Sequence, residues 1–90
     1  MSLELDADRG RLAEDVLANP VYQESYALIE QALIAKWRGA DRPEVREELH
    51  KILGLLDKVQ GLIESTMRSG KVASKELERK RSVADRLLRR

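Results

Sequence analysis

The sequence predicts an all-α chain: a long antiparallel helical hairpin, about 20–38 and 42–69, with shorter helices at the N- and C-terminal ends. Three observations predict it. The 90 residues are 42% apolar and 37% charged but only 3% aromatic, and Leu (14) and Ala (9) lead the apolar share over Val (6) and Ile (4). Leu, Ala, Glu, Arg and Lys in such excess build long helices rather than sandwiches or barrels. Apolar groups recur at helical spacing over two long segments. Helix punctuation falls at Asn19-Pro20, Gly39, Asp41-Arg42-Pro43 and Ser69-Gly70, and divides one domain into 1–18, a hairpin core at 19–69 and a basic helix at 71–90. A chain this short buries only about 60–65% of the surface its unfolded form exposes, so its core is thin.

The first helix, within 2–18, has a narrow stripe of Leu5, Leu12, Val16 and Leu17, with Gly10 costing ~1 kcal/mol in its interior. It should stop by Ala18, because the residue before a proline is pushed away from helical dihedrals. Asn19 then caps the second helix and Pro20 fits its first position, where a missing N–H costs nothing. Tyr22, Tyr26, Ile29, Leu33 and Trp37 hold one face of that helix. Val21, Leu28, Ala32 and Ala35 widen the face on one flank and Ile34 on another, so contact is expected on more than one side. The three aromatics read as core anchors whose polar edges reach the rim. Gly39 suits a C′ position, and Asp41-Arg42-Pro43-Glu44 reads as a capping-box-like start for the next helix.

In the third helix, Val45, Leu49, Ile52, Leu56, Val59 and Ile63 alternate spacings of four and three, the seam pattern of coiled-coil packing. Leu53 and Leu62 add flanking bulk, and Leu55 faces a second partner. The helix would run about 42 Å against about 28 Å for the second, so the seam beyond Val59 needs another cover. Gly54 and Gly61 lie on one face, which favours a close approach by a neighbouring backbone. Ser69-Gly70 ends the segment and Ser74 offers a fresh cap. A fourth helix follows, with Ala73, Leu77, Ala84 and Leu88 on one side. Both terminal helices are expected to gain order by packing on something else, another subunit included.

The formal charge of +1 conceals a polarity: residues 1–70 carry nine basic and thirteen acidic side chains, residues 71–90 eight basic and three acidic. Arg79, Lys80, Arg81, Arg86, Arg89 and Arg90 form the expected partner-binding basic face. An acidic protein surface is preferred to nucleic acid as its target, since no aromatic within 71–90 offers a base-stacking platform. The bland alternative is a solvated helix end complementing the macrodipole.

No catalytic constellation is found. His50 is the only histidine, and Arg46 at i−4 is like-charged. Absent Cys excludes disulfides and thiolate chemistry, the five glycines are isolated rather than gathered in a phosphate loop, and H-E-x-x-H spacing does not occur. The expectation is a non-enzyme with no cofactor, no metal and no small-molecule substrate. No segment has the uncharged length of a membrane span and the N-terminus is acidic, so a soluble cytoplasmic chain is expected.

N-P-V-Y-Q-E-S-Y at 19–26, A-L-I-A-K-W-R at 32–38, R-E-E-L at 46–49 and S-G-K-V-A at 69–73 resemble short helical proteins of tailed bacteriophages, encoded among head and packaging genes. The resemblance covers about 19–80 and carries over no ligand or catalytic residue. It implies an accessory of virion assembly, in the host cytoplasm or the virion. With the residue reading, the expectation is a helical assembly module, a homo-oligomer docking through helical faces and a basic end. A DNA-binding packaging subunit resembling a small terminase component, and a phage inhibitor of a host protein, stay open as alternatives.

Overall fold

A computed structural model describes residues 2–89. Three helices account for nearly all of them: α1 (Leu3–Ala18), α2 (Pro20–Gly39) and α3 (Pro43–Leu88). The chain is all-α, and 20–39 with the first part of α3 is the expected hairpin.

The break between α1 and α2 is built as the residues dictate. Asn19 is extended (φ −71°, ψ 122°) and its side-chain oxygen accepts from the N–H groups of Val21 at 2.9 Å and Tyr22 at 3.1 Å. Two otherwise orphaned donors are thereby satisfied at the position where Pro20 needs none. At the other end Gly39 is the last helical residue and Ala40, extended at φ −78° and ψ 124°, is the cap. No described glycine has a positive φ, so Gly39 does not act as a left-handed C′ residue. α3 starts at Pro43, and the Arg42 carbonyl accepts the Arg46 N–H at 3.2 Å. Arg42, not Asp41, therefore occupies the cap position.

The expected break at Ser69-Gly70 does not occur. α3 continues without interruption to Leu88, so the separate helix at 71–90 and the Ser74 cap are both corrected. Glycine ends a helix only when it takes the left-handed conformation; kept helical, it costs about 1 kcal/mol and removes a side chain from the surface. At Gly70 the missing side chain is what matters, because α1 occupies that space.

The chain forms two compact units, each built on its own stretch of α3: residues 1–15 with 63–90, and residues 16–62. In the first, α1 runs antiparallel to α3 and its backbone meets α3 at Gly10 and Gly70. A Cβ on either glycine would strike the other's Cα, and one on Gly70 would also stand 3.0 Å from the Asp6 carbonyl oxygen. Around that contact Ala7, Ala13 and Ala73 are buried. This departs from the expected first-helix stripe, since Leu5 (49% exposed), Leu12 and Val16 all face outward and of its four members only Leu17 is half-buried. Small residues line the contact because two helices can bring their backbones together only where no Cβ intervenes. The expected close approach at Gly54 and Gly61 is likewise corrected: nothing lies within 4 Å of a Cβ placed at either.

In the second unit α2 runs antiparallel to α3 and no residue is fully buried. Tyr22, Tyr26, Leu33 and Trp37 of α2 are half-buried against Arg46, Leu49, Leu53, Leu56 and Gln60 of α3. The seam is therefore shifted from the expected one. Leu49, Leu56 and, in the other unit, Ile63 are half-buried, but Val45, Ile52 and Val59 are 42%, 44% and 53% exposed. The true register has the same four-three alternation and runs through two polar side chains, Arg46 and Gln60, each matched by an aromatic of α2. Arg46 lies 4.4 Å from the Trp37 ring centroid, and the Tyr22 hydroxyl donates to Gln60 Oε1. Long polar side chains can line a seam when their stems are covered and their ends find a partner.

Candidate interaction surface

Displacing the seam by one position leaves a second apolar stripe on α3: Val45, Ile52, Leu55, Val59 and Leu62. At ~100° per residue these five lie within about 100° of arc, turned away from α2 by roughly a quarter of the helix circumference. On α2 the exposed Val21, Leu28 and Ile29 form a comparable stripe. The contacts Tyr22–Gln60, Tyr26–Asp57 and Trp37–Arg46 fix the antiparallel register, and in that register both stripes face the same side of the hairpin. The opposite side carries His50, Gly54, Asp57 and Gly61. The hairpin is thus amphipathic as a pair, with one apolar and one polar side.

The aromatics behave as anchors with wet edges. The rings of Tyr22 and Tyr26 stand 6.2 Å apart at a 43° tilt, and the Tyr26 hydroxyl donates to Asp57 at 3.0 Å. Burial of the Tyr26 ring between the helices, followed by that hydrogen bond to a carboxylate, holds its phenol protonated and pushes its pKa up to about 12. His50 is exposed on α3, outside the α2 contact.

The expected basic face is only partly one face. Arg79 and Arg86 share a side of α3 with Lys71 and Lys75, spaced four, four and seven along 71–86, and Arg89 follows just past the end of the helix. Lys80 and Arg81 are turned about 100° and 200° from Arg79. Arg90 lies outside the described residues. Within the set, Arg79 Nε donates to Glu76 at 3.2 Å, and this pairing holds the Glu76 carboxyl below its usual range and the Arg79 guanidinium above its own. Residues 78–89 are all exposed, including Leu87 and Leu88, while Ala73 and Leu77 meet α1; the expected four-residue stripe of the last helix is thus split. Sequence reasoning left Lys71 and Lys75 out of this face. Their helical spacing from Arg79 was the signal that could have found them.

Among the described residues no helix is long and apolar enough to cross a membrane. No group of three His, Asp or Glu among them could hold a metal ion. No protein-family model matches the chain, and neither does any curated protein or solved structure.

Proposed function

We propose that this chain is a non-enzymatic helical interaction module, which associates with copies of itself and docks an acidic partner on the basic side of α3. One observation carries the reading: the helix pair at 16–62 buries no residue fully and keeps five large aliphatic side chains of α3 exposed along one side. Soluble monomers rarely display so continuous an apolar strip, and such strips mark association surfaces. The setting we propose, virion morphogenesis in a tailed bacteriophage, rests on the resemblance over 19–80, which also makes the host cytoplasm or the virion its place of action.

The basic side, Lys71, Lys75, Arg79 and Arg86, supports docking to an anionic surface and equally favours the packaging-subunit alternative, in which it neutralises phosphates. Polyglutamate and duplex DNA separate the two. The expected result at low salt is retention of polyglutamate by the natural chain and its loss in a Lys75→Glu, Arg79→Glu, Arg86→Glu variant of unchanged helicity. Preferential retention of DNA, falling steeply with salt, would transfer the assignment to the packaging subunit. A chain that bound neither probe and stayed monomeric would sink the docking reading.

A further inference from the structure

We infer that the apolar side of the α2–α3 hairpin is a two-fold, antiparallel self-association surface, in which α3 of one copy lies across α3 of a second through Val45, Ile52, Leu55, Val59 and Leu62. The inference rests on the docking reading above and names the partner: a second copy of this chain.

Three features select that occupant. The first is area. The chain exposes 7377 Å² at a mass of 10.3 kDa, whereas a compact monomer of that mass exposes about 5400 Å². The stripe contributes to that surplus, with Val45, Ile52, Leu55, Val59 and Leu62 42%, 44%, 61%, 53% and 69% exposed, and an ordinary stable complex takes ~800 Å² from each partner. The second is charge. Residues 16–62 carry six basic and seven acidic side chains, so two such units meet without net repulsion. The basic run at 71–90, net +5, lies in the other unit.

The third feature is the order of residues along the stripe, where four of the five are related in pairs by a single midpoint. Val45 and Leu62 are equally distant from the midpoint between residues 53 and 54, and so are Ile52 and Leu55. An antiparallel two-fold through that midpoint sets Val45 against Leu62 and Ile52 against Leu55 of the other copy, apolar on apolar at both ends. It also sets Glu48, the one charge within the stripe, level with Val59 and one residue's rise from Lys58 of the other copy. A parallel pairing would instead bring the two Glu48 carboxylates together at the centre of the contact, where like charges repel. Identical chains avoid that clash in the antiparallel two-fold arrangement.

The chain holds no cysteine, so single-cysteine variants report the register cleanly. Ile52→Cys and Leu55→Cys are made separately in the full chain, checked for native helicity, mixed and oxidised. The expected outcome is a mixed disulfide dominating both self-products, with Val45→Cys and Leu62→Cys behaving alike and the unmodified chain sedimenting at twice its own mass. Dominant self-products would overturn the antiparallel register. A single-chain mass from micromolar to millimolar concentration would overturn self-association. That same monomer, if it still retained polyglutamate, would leave the acidic-partner half of the docking reading standing, so the two failures are distinguishable. A dimer whose mass is unchanged by Leu55→Glu, at a site already 61% exposed, would overturn the choice of face.

Discussion

The two halves of α3 solve the same problem, pairing with one antiparallel helix, by opposite means. Against α1 the helix offers Gly70 and Ala73, the smallest side chains available, and both are buried. Against α2 it offers Leu49, Leu53 and Leu56, facing Tyr22, Tyr26 and Trp37, and none is buried. Large side chains hold two cylinders apart and leave each other's flanks open, whereas small ones let the backbones touch and exclude water at once. In a two-helix contact, closeness decides burial and size does not. The half with the greasier sequence is therefore the half that still needs a cover.

The strongest way to break the contrast is at the glycine contact. Gly70→Val should cost about 3 kcal/mol, because the new side chain must displace the Gly10 backbone rather than a flexible neighbour. Urea unfolding followed by helical circular dichroism measures this, and an unchanged midpoint would disprove the contact. Leu56→Asp should cost about 2 kcal/mol by placing a carboxylate against α2 without a partner, somewhat less than full burial would demand because Leu56 is only half covered. Gly54→Ala and Gly61→Ala should do the reverse and add about 0.5–1 kcal/mol each, since a Cβ there meets nothing. One kind of change, enlarging a glycine of α3, is thus expected to differ in sign at Gly70 and at Gly61.

The smallest expected effect is a pH dependence confined to the second unit. The Tyr26 phenol is raised from 10.0 to about 12 on folding, so its stabilising contribution is fully present below pH 10 and disappears as the pH climbs through about 12. Tyr26→Phe should remove that alkaline loss and leave the melt near neutral pH little changed. Tyrosinate absorbance during a pH titration of the natural chain locates the step.

What the sequence made legible, and what it concealed, follows from the same contrast. Asn19-Pro20 could be read directly, because an N-cap and a proline act locally on their own backbone. The seam could be read in period but not in phase. Its true members include Arg46 and Gln60, which count as polar in any hydrophobic pattern although Trp37 and Tyr22 receive them. Val45, Ile52 and Val59, one place earlier in the repeat, make a cleaner apolar series and draw the assignment to themselves. Gly70 misled for a related reason: as a helix terminator it is a local signal, as a contact it depends on Gly10 far away in sequence. The three-residue spacing of Ala7, Gly10 and Ala13 marked that contact, in a helix where leucines held the attention. The basic side was readable as composition, but its direction required counting turns from Lys71 through a break that does not exist.

The distances in sequence at which α3 meets its two neighbours set an order of assembly. Trp37 and Arg46 are nine residues apart, whereas Gly10 and Gly70 are sixty apart. Closing the longer loop costs about 1.7 kcal/mol more in chain entropy, by the logarithmic dependence on loop length. The short circuit shuts first and presents a ready-made rail on which the N-terminal segment settles last. That segment is then also the first to leave, and amide exchange under mild denaturant should empty α1 of protection before α2. Where the chain is tightest, it is also the most easily unlatched.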